Sequence, residues 1–459
     1  MKLLEAFLGQ CEGWGQAFAR TGTAVRAVRH AVSGLCSMGR RTISRAIISA
    51  GRDGRDWSGD YLLYSRSPWE ASDLFSPSVR YTAANSYEGH IAVAFDDTKV
   101  RKTGRKIPGT CWQRDPLSPP FHVNFLYGLR FLQGSALIPL HQREQMPARG
   151  VPVCFHEARV AKKPGARGTP EQWAAYRVAQ RTENLSAQFV AALGLMRTAY
   201  DQAGSAHKLL VAVCDGSFCN RTVLRAVIER TVLLVRCRKN ARLCLPATPG
   251  SRRVYDPVSF TPEQVRTNEQ IPWQTTRVYH GGQWRTVRFK EVLHIYWRSG
   301  AKRTKLRLIV VAPTPYRITK EGKVYYRQPA YLLTTDLYSA IPLLMQMYFD
   351  RWEIEVNHRD EKETLGIGQA QVWSSNAVPR QPALMVAAYS ILLIAGLVAY
   401  GAQRTSAYLP LPRWRRNARR PSCQDLVSQL RREMDAHPEV LHHYGMQSGN
   451  DILVRAAAA

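Results

Sequence analysis

The chain has 459 residues, with 64 Lys and Arg against 35 Asp and Glu, a formal net charge of +29. That length suits two or three units of ordinary size and excludes the marginal core of a very small chain. The charge excess points to a polyanion, and because it is concentrated at 101–106, 236–242 and 413–420 and not on one amphipathic helix, nucleic acid is favoured over a membrane surface.

Residues 1–85 read as helical. A helix over 25–36, a break at Ser37-Met38-Gly39-Arg40 and a helix over 42–50 have the outline of a helix-turn-helix, which ordinary helical hairpins share. The opening MKLLEAFLGQCEGW carries an acid at Glu5 and too short an apolar run for a signal peptide. Nine cysteines without a CxxC pair read as reduced thiols, neither zinc ribbon nor redox motif. A cytoplasmic, nucleoid-associated location follows as the expectation.

From His90 the character changes, and 86–245 is expected to alternate strand and helix. HIAVAFDDT is an apolar run ending in acids, and NFLYGLRFL and ALIPLH are further strand candidates. A charged helical stretch over 171–203 precedes KLLVAVCDGSF, a helix over 221–229 and the strand TVLLVRC. The alternation implies an α/β sheet with parallel elements. Over 246–327 the runs TTRVYHGG, QWRTVRF, VLHIYWR, TKLRLIVVA and GKVYYRQ read as an antiparallel β insertion, with hairpin turns at Gly281-Gly282 and Glu321-Gly322.

The segment 328–401 resumes with the buried strand PAYLLTTDL and then YFDRWEIEVNHRDEK. ALMVAAYSILLIAGLVAY (383–400) meets the length criterion for a membrane span. Its small residues, two tyrosines and isolation in a charged chain make it a core helix, so no membrane role is expected. The last segment, 402–459, opens with the basic linker LPRWRRNARRP, and Ser422-x-x-Asp425 then caps a short amphipathic helix.

Tyr348, Arg351, Glu355 and Lys362, at offsets of three, seven and fourteen, fall within an arc of about 60° on a helix. Met345, Phe349, Trp352 and Val356 form an adjoining apolar strip expected to pack on the core. A carboxylate flanked by two cations and a phenol suits phosphate chemistry: the acid can ligate a divalent ion while the others hold phosphate oxygens. Taken alone, Arg351 and Glu355 are also an ordinary surface ion pair.

Acids just after apolar strands stand where open α/β sheets present ligands. Asp96-Asp97 and Asp215 are such places. With Glu355 they supply three carboxylates from three elements, the usual requirement for two divalent ions about 4 Å apart. Successive strand residues point to opposite faces, so only one of Asp96 and Asp97 can serve.

At these residues the chain resembles a DDE transposase of the insertion-sequence-four group, which carries a Y-x2-R-x3-E-x6-K signature and an RNase H-like core. Tyr348, Arg351, Glu355 and Lys362 satisfy every spacing, and the resemblance extends over 90–400. It implies an RNase H-like mixed sheet flanked by helices, interrupted by the β insertion, with helical N- and C-terminal regions. The family's Asp-Thr pattern selects Asp97 before Thr98, and its strand-four acid selects Asp215. Asp97, Asp215 and Glu355 would then be catalytic, carrying Mg²⁺ or Mn²⁺, two ions per site. Tyr348, Arg351 and Lys362 would bind DNA, with Arg238 and Lys239 extending the track alongside Arg236 and Arg242. Trp273, Trp284 and Trp297 lie where some relatives stack a flipped base, and where a core tryptophan would also lie.

The implied activity is cleavage of double-stranded DNA at the inverted repeats of an element and joining of the 3′ ends to target DNA, with at least a homodimer on the paired ends. Two other readings stand beside it: a DNA-binding regulator without catalysis, and a nuclease of the same fold that does not join.

Overall fold

The computed structural model describes residues 1–446 other than 116–117, 120, 320 and 416–417. Arg416 and Asn417 of the basic linker, and 447–459 of the C-terminal segment, lie outside the described residues. The chain is mixed α/β. Its first strands are β1 (His90–Arg101), β2 (Cys111–Arg114), β3 (Phe125–Ile138), β4 (Arg149–Glu157), β5 (Leu209–Cys214) and β6 (Thr231–Arg236). After them come β7 (Leu243–Pro246), β8 (Tyr255–Phe260), β9 (Gln274–His280), β10 (Gln283–Ile295), β11 (Leu306–Val311), β12 (Pro315–Arg317), β13 (Val324–Tyr326) and β14 (Ala330–Thr334).

Ten of these form one sheet in the order β2-β3-β1-β5-β6-β14-β11-β10-β9, with β4 also on β3. β1, β5 and β6 are parallel, and every other neighbouring pair is antiparallel. Runs such as LLVAVC are buried almost throughout because helices cover both faces. On β1, Ile91, Val93 and Phe95 enter an apolar layer with Phe189 and Met196 of the Leu185–Tyr200 helix. Ala92 and Ala94 enter the opposite layer with Leu344, Met345 and Ile354. Continued one step, this alternation sends Asp96 toward the second layer and Asp97 toward the first.

Several expectations change. NFLYGLRFL and ALIPLH belong largely to one long strand, β3, and β4 was not anticipated. Pro152 masks β4 in the sequence, and it is tolerated because it sits at a register shift where only β3 pairs with it. The helix over 221–229 contracts to Arg221–Leu224. The insertion is antiparallel as expected, with Gly281 and Gly282 at φ +63° and +78° making the two-residue turn. Its strands β9, β10 and β11 extend the main sheet through β14, while β12–β13 and β7–β8 stand apart as small pairs.

The N- and C-terminal segments close on one apolar helix, Ala377–Tyr400, which shares a core with Leu3, Phe7, Ala31, Leu426 and Leu430. It is the one helix among the described residues long and apolar enough to cross a membrane, and 78% of that apolar window is buried inside the fold. The two helices of the N-terminal hairpin are Thr21–Cys36, buried from 27 to 36, and Ile43–Ser49, capped by Thr42 accepting from the Arg45 N–H. Ser422 caps the Cys423–Ala436 helix through a full capping box, as its sequence indicates.

Candidate active site

Asp215 directly follows β5, and β5 runs parallel to β1 with Cys214 beside Phe95, so Asp96, where β1 continues past its pairing with β5, stands next to Asp215. The Asp215 carboxylate caps a short turn, accepting from the Ser217 N–H at 2.9 Å and its hydroxyl at 2.6 Å. Asp96 accepts from the Asp97 N–H at 2.8 Å. Burial, then the charges of Asp215 and Asp97, push the Asp96 pKa up to about 7, against the pull of Arg351. Asp97 instead pairs with Arg130 at 2.7 Å. Arg130 stands opposite Lys99, two positions beyond Asp97 on β1, so the pair is a diagonal contact on that face.

The facing helix runs Ile341–Asp350 and Trp352–Arg359, with Arg351 between them at helical φ −49° and ψ −28°, and widens to one π-helical turn, Asp360–Thr364, so the expected stripe departs from a regular helix only toward Lys362. Glu355 still turns to Arg351, at 2.9 Å. Burial raises the Tyr348 pKa, opposed by Arg236 and Arg351, so the phenol remains a donor. Burial lowers that of Lys362, opposed by Glu361, Asp96 and Asp97. The expected apolar strip is corrected at Trp352: Met345 is buried, but Trp352 is 56% exposed and lines a cavity, and Ile354 takes the core position.

An open cleft of about 890 Å³ gathers these groups. Asp96, Asp97, Asp215, Glu355 and Lys362 line it, and Lys99, Arg101 and Arg130 carry it along the sheet edge. A second cavity of about 440 Å³ lies on the other side of Glu355. Arg236, Arg327 and Arg351 line it with Tyr348, Phe349 and Trp352. Glu355 thus stands between a carboxylate-lined cleft and a cavity of three guanidinium groups.

Other expected positions stand outside both cavities. Arg238 and Lys239 are exposed in the segment after β6 and line neither. Trp273 is partly buried against the core with the Lys290 ammonium 4.7 Å from its ring centre, Trp297 packs on the same core, and Trp284 meets Tyr279 and His141. Two contributors were missed, and Asp96, named together with Asp97 in the sequence, lines the cleft beside it. Trp352 lines the second cavity from an exposed position that its apolar character did not suggest. His358 lines the cleft with a buried Nε2 that has no hydrogen-bond partner among the described residues. Burial, with Lys362 and Arg351, pushes its pKa down to about 3, so it is neutral near pH 7.

Among the described residues no three Asp, Glu, His or Cys side chains already stand in an arrangement that holds a metal ion. No protein-family model matches the chain, and comparison with curated proteins gives no relative.

Proposed function

We propose that the chain is a DDE transposase with an RNase H-like core, cutting DNA ends and joining the 3′ ends to target DNA. The observation that carries the reading is the gathering of Asp96 of β1 and Asp215, just past the end of the parallel β5, with Glu355 and Lys362 around one cleft, Arg351 holding Glu355 from the adjoining cavity. The run β4-β3-β1-β5-β6, an antiparallel trio followed by a parallel pair, supports the core assignment. In this account Asp96 takes the role that the Asp-Thr pattern gave to Asp97, because Asp97 faces Arg130 and Asp96 shares its field with Asp215 and Arg351.

Mg²⁺ or Mn²⁺ fits the donor set in kind and in charge. Carboxylate oxygens are the ligands such ions take, and burial followed by the like charges of Asp215 and Asp97 holds Asp96 near pKa 7, a cost that a bound cation would offset. Asp96, Asp215 and Glu355 would hold the ions, with Glu355 shared with or released from Arg351. When bound, two such ions supply Lewis-acid stabilisation of the phosphate and activation of the attacking group.

The chain's own residues do the rest. Arg351, Arg236 and Arg327 give a phosphate strand three cations beside Glu355, and Arg351 keeps that carboxylate in place. Tyr348, protonated by its burial, donates without adding charge. Lys362 adds a cation on the cleft side, and neutral His358 offers one hydrogen bond there. Holding the strand from both sides of Glu355 fixes it in line for displacement, where orientation contributes most to rate. Joining requires two DNA ends, hence at least a homodimer on double-stranded DNA.

The test is incubation with plasmid DNA carrying the sequences that flank the gene, in Mg²⁺ or Mn²⁺, for wild type and Glu355→Gln. Metal-dependent cuts lost in the variant, with joined products, support the transposase. Cuts without joining make it a nuclease, and binding without cuts makes it a regulator.

A further inference from the structure

The edge of the sheet nearest the cleft carries exposed aromatic rings that the cutting chemistry does not use. Trp112 of β2 is 65% exposed and Phe125 of β3 is 62% exposed. Trp112 stands opposite Tyr127 and Arg114 opposite Phe125, so two cross-strand pairs put three rings and a guanidinium on one face of the β2–β3 ribbon. The Trp112 and Tyr127 ring centres are 5.4 Å apart. Tyr127 is held by hydrogen bonds with the Thr110 hydroxyl at 2.8 Å and the Arg105 carbonyl at 3.2 Å.

Register relates this face to the cleft. Val100 pairs with Leu129, Thr98 with Phe131 and Asp96 with Gln133, so Tyr127 and Phe125 continue the face that carries Asp96. Six residues of strand separate Gln133 from Tyr127, a span of about 20 Å. Between them Thr98, Val100, Leu129 and Phe131 are buried, so the route from the cleft runs over Lys99 and Arg101 on the opposite face of β1 and then Thr103, and Trp373, 57% exposed, lies against Gly104 at its foot.

We infer that this ribbon is a stacking platform for an unpaired DNA strand leaving the cleft, an inference that rests on the DNA-processing assignment above. Rings exposed to this extent on an edge strand mark a binding surface. Arg101, Arg105, Lys106 and Arg114 surround them, with Asp115 paired to Arg101 at 3.1 Å, so the surroundings are cationic. Aromatic rings interleaved with cations fit bases and phosphates, and bases present their faces only when unpaired. A second copy of the chain would bring two such cationic surfaces together, which the charge opposes.

The experiment measures binding of a 20-nucleotide oligo-dT and of a 20-base-pair duplex, in EDTA so that no cutting intervenes. Wild type is compared with Trp112→Ala/Phe125→Ala and with Trp112→Tyr. The double variant should bind oligo-dT about 10- to 100-fold more weakly, keep duplex affinity within about twofold and melt with wild type, while Trp112→Tyr retains most oligo-dT binding. Unchanged oligo-dT affinity with intact duplex binding overturns the platform and leaves the DNA assignment standing. Equal loss for both DNAs, or a wild-type dimer that the double variant converts to monomer, also overturns it. If wild type binds neither DNA, the platform and the DNA assignment fall together.

Discussion

Asp96→Asn removes the one carboxylate whose charge the site disfavours, so the variant should gain stability while losing function. The Asp96 pKa rises from the ordinary 3.8 to about 7 in the fold. A raised carboxylate pKa means that the folded state keeps its proton longer than the unfolded chain. Wild type is therefore penalised progressively as pH rises from about 4 to about 7, and asparagine, which does not titrate, escapes the penalty. A shift of about three units at about 1.4 kcal/mol each sets a ceiling near 4 kcal/mol above pH 8. Because the group lines a solvent-open cleft, about 1–3 kcal/mol is expected, most of it appearing between pH 5 and 8.

Denaturant titration of both proteins at pH 5 and pH 8 in EDTA reads this directly. The variant's advantage should widen with pH, and Mg²⁺ added at pH 8 should stabilise wild type more than the variant. Asp97→Asn, which loses the 2.7 Å pair with Arg130, should show no comparable gain. An Asp96→Asn advantage that does not change with pH, or that reverses, would refute the burial and like charge argued for Asp96.

Lys362→Ala should weaken duplex binding and reduce the slope of log K against log salt by about 0.9, measured by anisotropy from 50 to 200 mM salt. Leu392→Ala, in the middle of the Ala377–Tyr400 helix and fully buried, should cost about 2–5 kcal/mol of unfolding free energy in denaturant titration, whereas a lipid-facing leucine would leave it nearly unchanged. Asp60→Asn removes a buried carboxylate whose pKa falls to about 2 where it meets Arg29 at 2.6 Å and His30 at 2.9 Å. It should cost about 3–5 kcal/mol by denaturant titration near pH 7, because the charges of Arg26, Arg29 and Arg52 and the His30 ring lose their partner.

The parts of the fold legible in sequence are those where one local pattern decides. HIAVAFDDT and KLLVAVC are apolar runs closed by acids and became β1 and β5, and the two glycines at 281–282 fixed a hairpin. The signature spacing placed Glu355 against Arg351, because the backbone stays helical through Arg351 and an offset of four puts the two on one face. What failed depends on partners distant in the chain. The identity of the strand neighbouring β14 is set by burial against β6 and β11, so the insertion's continuity with the main sheet could not be read from its own residues. β4 carries a proline that its single-sided pairing permits. Trp352 has a core composition and a surface position.

The most direct measurement is single-turnover cleavage of flanking-end DNA in Mn²⁺ by wild type, Asp96→Asn, Asp97→Asn and Asp215→Asn, each first shown to bind the duplex. The account predicts that Asp96→Asn and Asp215→Asn bind and do not cut, while Asp97→Asn cuts within about tenfold of wild type, the loss of about 1.4 kcal/mol from a positioning contact. Cleavage that persists in Asp96→Asn and disappears in Asp97→Asn, or that ignores all three, would contradict it.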